Sequence, residues 1–167
     1  MPKGILSSLF AHKSWSNTEL FNAVAEVNST THPDQLHAAI RTLNHIYVVD
    51  RIFQAHLSGE QHEFKATNTE ETPDLGELQF AVGETDSWFE KYISNASPET
   101  LAESLSFTFT DGDAGRMTRQ EMLFHVITHG AYHRGNVGQI LKSTSVSPPR
   151  DLYTKFLHFS EPSRRLA

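Results

Sequence analysis

The sequence predicts an all-α protein: a four-helix bundle with one crossover connection and a small hairpin ahead of the last long helix. Three observations carry that reading. Apolar residues recur at helical spacing in four long stretches. Proline-containing start signals open two of them and a capping box opens another. One short segment, residues 105–110, alternates strictly between apolar and polar instead, which is strand grammar.

The first helix covers about residues 4 to 27. Leu6, Leu9, Phe10, Leu20, Phe21, Val24 and Val27 form its apolar stripe, with room for an interruption near 14–17. The second covers 33–58. Thr31-His32-Pro33-Asp34 supplies a capping hydroxyl, a first-turn proline and an acid at the positive end of the dipole. Gly59 stops this helix, and the polar segment 60–72 connects onward. Thr72-Pro73-Asp74 repeats the start signal for a third helix ending near Asn95, with Leu75, Leu78, Val82, Trp88, Phe89 and Ile93 on its face. Ser97-Pro98-Glu99 opens a short turn of helix. Residues 105–110 and the turn Asp111-Gly112-Asp113-Ala114-Gly115 suit a hairpin or an extended crossover. Thr118-Arg119-Gln120-Glu121 is a capping box, and its helix runs to about Thr144. Ser147-Pro148-Pro149 breaks the chain before a last short helix over 151–159.

At 167 residues the expectation is one domain, 1–167, large enough for a real core. There is no cysteine, which excludes disulfides, thiolate-bound metal and a thiol nucleophile in the chain itself. The formal charge of −6 and the lack of a basic run argue against nucleic-acid binding. The apolar run from Ile5 to Phe10 is too short for a signal-peptide core, and no stretch approaches the roughly 20 apolar residues of a membrane span. A soluble cytoplasmic protein is expected.

Ten histidines are an excess for this length, and three of them carry the functional signal. His125, His129 and His133 recur every four residues on one predicted helix. Neighbours at that spacing lie roughly 5–6 Å apart at Cβ, so two imidazoles can converge on one ion with metal–nitrogen distances of about 2.0–2.1 Å. With about 100° per residue and His129 at zero, Met122 and Ile140 fall near 20°, His133 near 40°, Val126 near 60° and Val137 near 80°. His125 falls near −40°, at the edge of that stripe. The pair aimed at the bundle interior is therefore His129 and His133. Two buried imidazoles need a polar partner: a metal, or a hydrogen-bonded network. A third ligand has to come from another helix. His45 is the best candidate, on a face with Ala38, Val49 and Ile52. His56 shares that face but lies about 16 Å further along. His37 is expected to be exposed, and His12, His32, His62 and His158 to be solvated near ends and loops.

The run His125-x3-His129-x3-His133-Arg134-Gly135, followed by Gln139-Ile140, resembles the last bundle helix of the DinB/YfiT-like family. Trp15-Ser16-Asn17, His45 and Arg150-Asp151-Leu152-Tyr153 are similar to further segments of that family, so the likeness spans nearly the whole chain. Asn136-Val137-Gly138 departs from the family pattern, beyond the ligands. The resemblance implies an up-down-down-up bundle, a homodimer, and a divalent metal ion held by His45, His129 and His133, with His125 a frequent neighbour outside the triad. Family members include transferases and isomerases that use a low-molecular-weight thiol.

No cysteine can close the site, and no carboxylate shares the histidine face; Asp50 and Glu121 lie a turn or more away. An open coordination position for water or substrate is therefore expected. Zinc, nickel, iron and manganese all accept imidazole, so the metal is not determined. Two functional readings follow. In one, the chain is a metal-dependent enzyme, a thiol-dependent S-transferase or a hydrolase, acting on a small molecule, with Tyr47, Tyr132, Arg134 and His125 lining or supporting a pocket. In the other, it is a non-catalytic, stress-associated module whose ion is structural. The ordinary roles of Tyr47 and Tyr132 are core or interface aromatics, and that of Arg134 is an ion pair between helices.

Overall fold

The computed structural model describes residues 3–165. Helix α1 (Lys3–Ala25) runs without a break, so the interruption near 14–17 does not occur. Thr18 turns its hydroxyl back onto the Ser14 carbonyl at 3.1 Å inside an intact helix. Helix α2 spans Pro33–Ser58, as expected. Its cap differs: no side chain caps it from His32, and Asn28 instead accepts the backbone N–H groups of Thr30 and Thr31. Gly59 closes α2 at φ 71, a left-handed backbone suited to glycine.

Helix α3 (Leu75–Asn95) is capped by Asp74, whose carboxylate accepts the N–H groups of Gly76 and Glu77. The carboxylate two residues nearer the helix displaces the expected hydroxyl of Thr72. A short helix α4 (Pro98–Ala102) leads into an antiparallel hairpin of β1 (Ser104–Thr108) and β2 (Ala114–Thr118), which pairs Leu105 with Met117 and Phe107 with Gly115. Both partners of the Thr118–Glu121 capping box are formed at the start of α5 (Arg119–Leu141). This helix stops short of 144; the Ser143 and Thr144 hydroxyls bond back to the Ile140 and Leu141 carbonyls. Helix α6 (Tyr153–Ser160) and a 3₁₀ turn (Pro162–Arg164) follow.

Helix α2 packs chiefly on α5 and α1 on α3, with further contacts of α1 on α5 and α2 on α3. The core divides into two apolar clusters. One holds Leu6, Phe10, Val49, Phe53, Phe89, Ile93, Met122 and Val126. The other holds Leu20, Val24, Ala39, Leu43, Leu78, Val82, Val137 and Leu141. Between them, at mid-height along the helices, lies a buried polar layer of Lys13, Asn17, Asp50, Asp86 and Arg134. Lys13 Nζ lies 2.7 Å from Asp50 and also pairs with Asp86, which accepts from Asn17 at 2.8 Å. No helix of the described residues is long and apolar enough to cross a membrane.

Candidate metal centre

The histidines of interest sit at the α2–α5 seam, at the height of the polar layer. Helix α2 contributes His45, and α5 contributes His129 and His133. Gly130 lets α5 approach closely: a Cβ there would meet the Arg134 guanidinium at 3.1 Å and Lys13 Cε at 3.7 Å. The three half-buried imidazoles each offer one nitrogen, and these nitrogens lie within 4.8 Å of one another. Ring centroids are 4.5 Å apart for His45–His133 and His129–His133, and 4.8 Å for His45–His129. Among the described residues no carboxylate joins the group.

The segment between α2 and α3 orients His45. Its backbone is pinned to α2 by the Arg41 guanidinium, which donates to the Thr69 and Glu71 carbonyls at 2.7 and 3.0 Å. Asn44 donates to the Thr69 hydroxyl, and Asn68 returns a bond to the Arg41 carbonyl. This places the Thr67 carbonyl 2.7 Å from His45 Nδ1. A carbonyl only accepts, so Nδ1 carries the proton and Nε2 presents its lone pair to the site. His45 Nε2 and His129 Nε2 face each other at 3.0 Å. Two nitrogens about 2.0–2.1 Å from one ion are about 2.9–3.4 Å apart at coordination angles between square and tetrahedral. The observed spacing therefore fits two ligands of one ion. His129 Nδ1 is buried without a partner. Asn136 Nδ2 lies 3.4 Å from His133 Nδ1.

Burial, reinforced by His133 and His45, pushes the His129 pKa down to about 3. Burial and His45 also lower that of His133. Both rings are thus neutral at pH 7, the protonation state a metal ligand requires. Asp50 and Glu121 are committed elsewhere, Asp50 to Lys13 and Glu121 to the α5 cap.

A pocket of about 240 Å³ opens beside His45 and His129. Val49, Ile52 and Phe53 of α2 and Phe107 and Phe109 of the hairpin region form its apolar wall. His125 also lines it, its ring 4.7 Å from Phe53 and 5.5 Å from His129. The other residues expected around a pocket lie outside this one. Tyr132 is 69% exposed, edge-on to His133. Tyr47 accepts a hydrogen bond from Arg51. Arg134 is buried and donates to Asp151 at 2.7 Å, in the ion-pair role. Asp151 also accepts from Ser16 and faces His12 Nε2 at 3.1 Å. Burial works against its charge, but these partners outweigh burial and hold its carboxyl well below the usual carboxylate range.

His37 and His158 are exposed, as expected. His12, His32 and His62 are half-buried rather than fully solvated. Helix α6 folds against α1 and covers His12 with Tyr153 and Phe156, while His62 lies 5.3 Å from the His56 ring. Sequence reasoning missed the Thr67 carbonyl and the two hairpin-region phenylalanines. A backbone acceptor carries no residue signature. The alternation at Phe107 and Phe109 signals a strand without saying what it faces.

A model of the DinB family matches residues 1–164. "Protein DinB" of Bacillus subtilis (strain 168) is 25% identical over 153 residues, spanning 86% of this chain and 88% of that protein. With the family match running from the first residue through the three histidines and past α6, the chain belongs to the DinB family.

Proposed function

We propose that this protein is a divalent-metal-binding enzyme, a thiol-dependent S-transferase or a hydrolase, whose ligands are His45, His129 and His133 and whose remaining coordination position is open. The observation that carries the reading is the convergence of three neutral imidazoles beside an apolar pocket, with no fourth protein ligand among the described residues. A bound ion would supply Lewis acidity, lowering the pKa of a water toward about 7 or stabilising a thiolate. The chain's own part is placement. Thr67 holds the His45 tautomer, the α2–α5 packing fixes the ring separations, and Phe53 and Phe107 keep water from one side of the site. With no cysteine in the chain, any thiol has to arrive with the substrate. A single domain of up-down-down-up topology belongs to the same reading. Its support is that the N-terminal halves of α1 and α5 share one core cluster with the C-terminal halves of α2 and α3.

Metal analysis of untagged protein tests the ligands. Wild type is expected to hold stoichiometric metal, and His129→Ala and His133→Ala to lose it; full retention by both variants overturns the assignment. Conjugation of a model electrophile, assayed with several low-molecular-weight thiols, tests the transferase. Inactivity with all of them removes that class and leaves the hydrolase. The reading of the ion as structural draws support from its position bridging α2 and α5. It is favoured if chelation lowers Tm and no turnover is found with thiols or with hydrolysable esters and amides.

A further inference from the structure

We infer that the pocket beside the histidines binds an uncharged small molecule of single-ring size, its flat apolar body among Phe53, Phe107 and Phe109 and its polar head at His45 and His129. The inference rests on the metal-site reading above and names the substrate class for that site.

The lining contains no Asp, Glu, Lys or Arg. Away from the ion, a charge on the ligand would lose water and gain no partner in this lining, so the body that fills the pocket is uncharged. Size narrows the class further. A cavity of about 150 Å³ accommodates benzene, and drug-sized ligands occupy about 300–1,000 Å³. At about 240 Å³ this pocket holds one ring with a short head. The walls suit a ring: Phe107 meets Phe109 at 4.8 Å and 72°, and Phe53 at 6.1 Å and 61°, so both faces and edges are presented. Phe109 keeps 44% of its surface in water, apolar area that a bound ring would cover.

The polar atoms supply a second observation. Among the described residues, His56 Nε2 and His129 Nδ1 are buried polar atoms without a partner, and both belong to residues lining this pocket. Buried polar atoms in native proteins are nearly always satisfied. His129 turns its Nε2 to the triad and its Nδ1 away from it, so the atom a ligand can satisfy is His56 Nε2. A ligand with its head at the triad and a second polar group toward His56 meets that need.

The test compares imidazole with 4-phenylimidazole as ligands of the cobalt(II)-loaded protein, read from the visible spectrum of the ion. Both present the same imidazole to the open position; only one carries a ring for the pocket. The phenyl compound is expected to bind about tenfold or more tightly than imidazole. The ratio is expected to fall toward one in Thr110→Trp, which fills the pocket from the hairpin turn while replacing no core residue, and to drop in Phe109→Ala. Equal affinities in wild type overturn the inference and leave the metal site standing. A preference undiminished in both variants overturns the location. Failure of wild type to bind cobalt at all overturns both this inference and the proposed function.

Discussion

Lys13 is 1% exposed and set between Asp50 and Asp86, so it joins α1 to α2 and α3 by charge. Its two carboxylate neighbours outweigh burial and raise its pKa, whereas burial pushes Asp50 up to about 6. Lys13→Met is expected to cost about 3–5 kcal/mol in chemical denaturation, because two buried carboxylates lose their counter-charge. Replacing all three residues by apolar ones of similar volume is expected to cost less than the single change. The general rule that lysine lies outside hid this residue from a sequence reading. The signal was nevertheless present: Lys13 falls seven residues after Leu6 and seven before Leu20, on the stripe that α1 buries. His129 and His133 were legible for the same reason, as polar residues on a buried stripe. His45 was left open by spacing, because its partners lie on another helix and its tautomer is set by a backbone carbonyl.

Helix boundaries were legible wherever a cap is written in side chains. The Thr118–Glu121 box is the clearest case, and it starts the helix that carries two of the three proposed ligands. Thr118→Ala is expected to destabilise the protein by about 1 kcal/mol, seen as a lowered denaturation midpoint with an unchanged m-value. At the α2 start Thr31, His32 and Asp34 satisfy a capping pattern, yet no side chain caps the helix, and Asn28 closes only the turn ahead of it. The hairpin element depends on one glycine. A Cβ at Gly115 would stand 2.7 Å from ring atoms of both Phe107 and Phe109. Gly115→Ala is therefore expected to cost about 1–3 kcal/mol by calorimetry as the rings are displaced.

At the scale of the whole molecule, stability should follow the histidines. Burial lowers the pKa values of His56, His125, His129 and His133. An unfolded histidine takes up its proton near pH 6.5, whereas folded His129 resists until about 3. The contribution of these groups is present above pH 6.5 and is lost as pH falls toward 3. Asp50, raised from 3.8 to about 6, acts in the opposite sense and loses stability as pH rises through that window. Burial raises Glu90 in the same sense as Asp50. The four histidines, joined by the low-held Asp151, outweigh these two carboxylates, so metal-free protein is expected to lose Tm between pH 6.5 and 4, with a shallower slope in His129→Ala. Bound metal should steepen the loss, since protons compete for its ligands. The bundle itself was legible from helical periodicity; the division into two apolar clusters around a charged layer was not, because it depends on which helices meet. The hairpin also bears on how this architecture changes over time. The proposed ligands lie on α2 and α5, whereas part of the pocket wall lies on a loop-like excursion between α4 and α5. Selectivity and ligation are thus encoded in separate stretches of chain, and drift in the excursion can readdress the pocket to a new compound while the three histidines stay fixed.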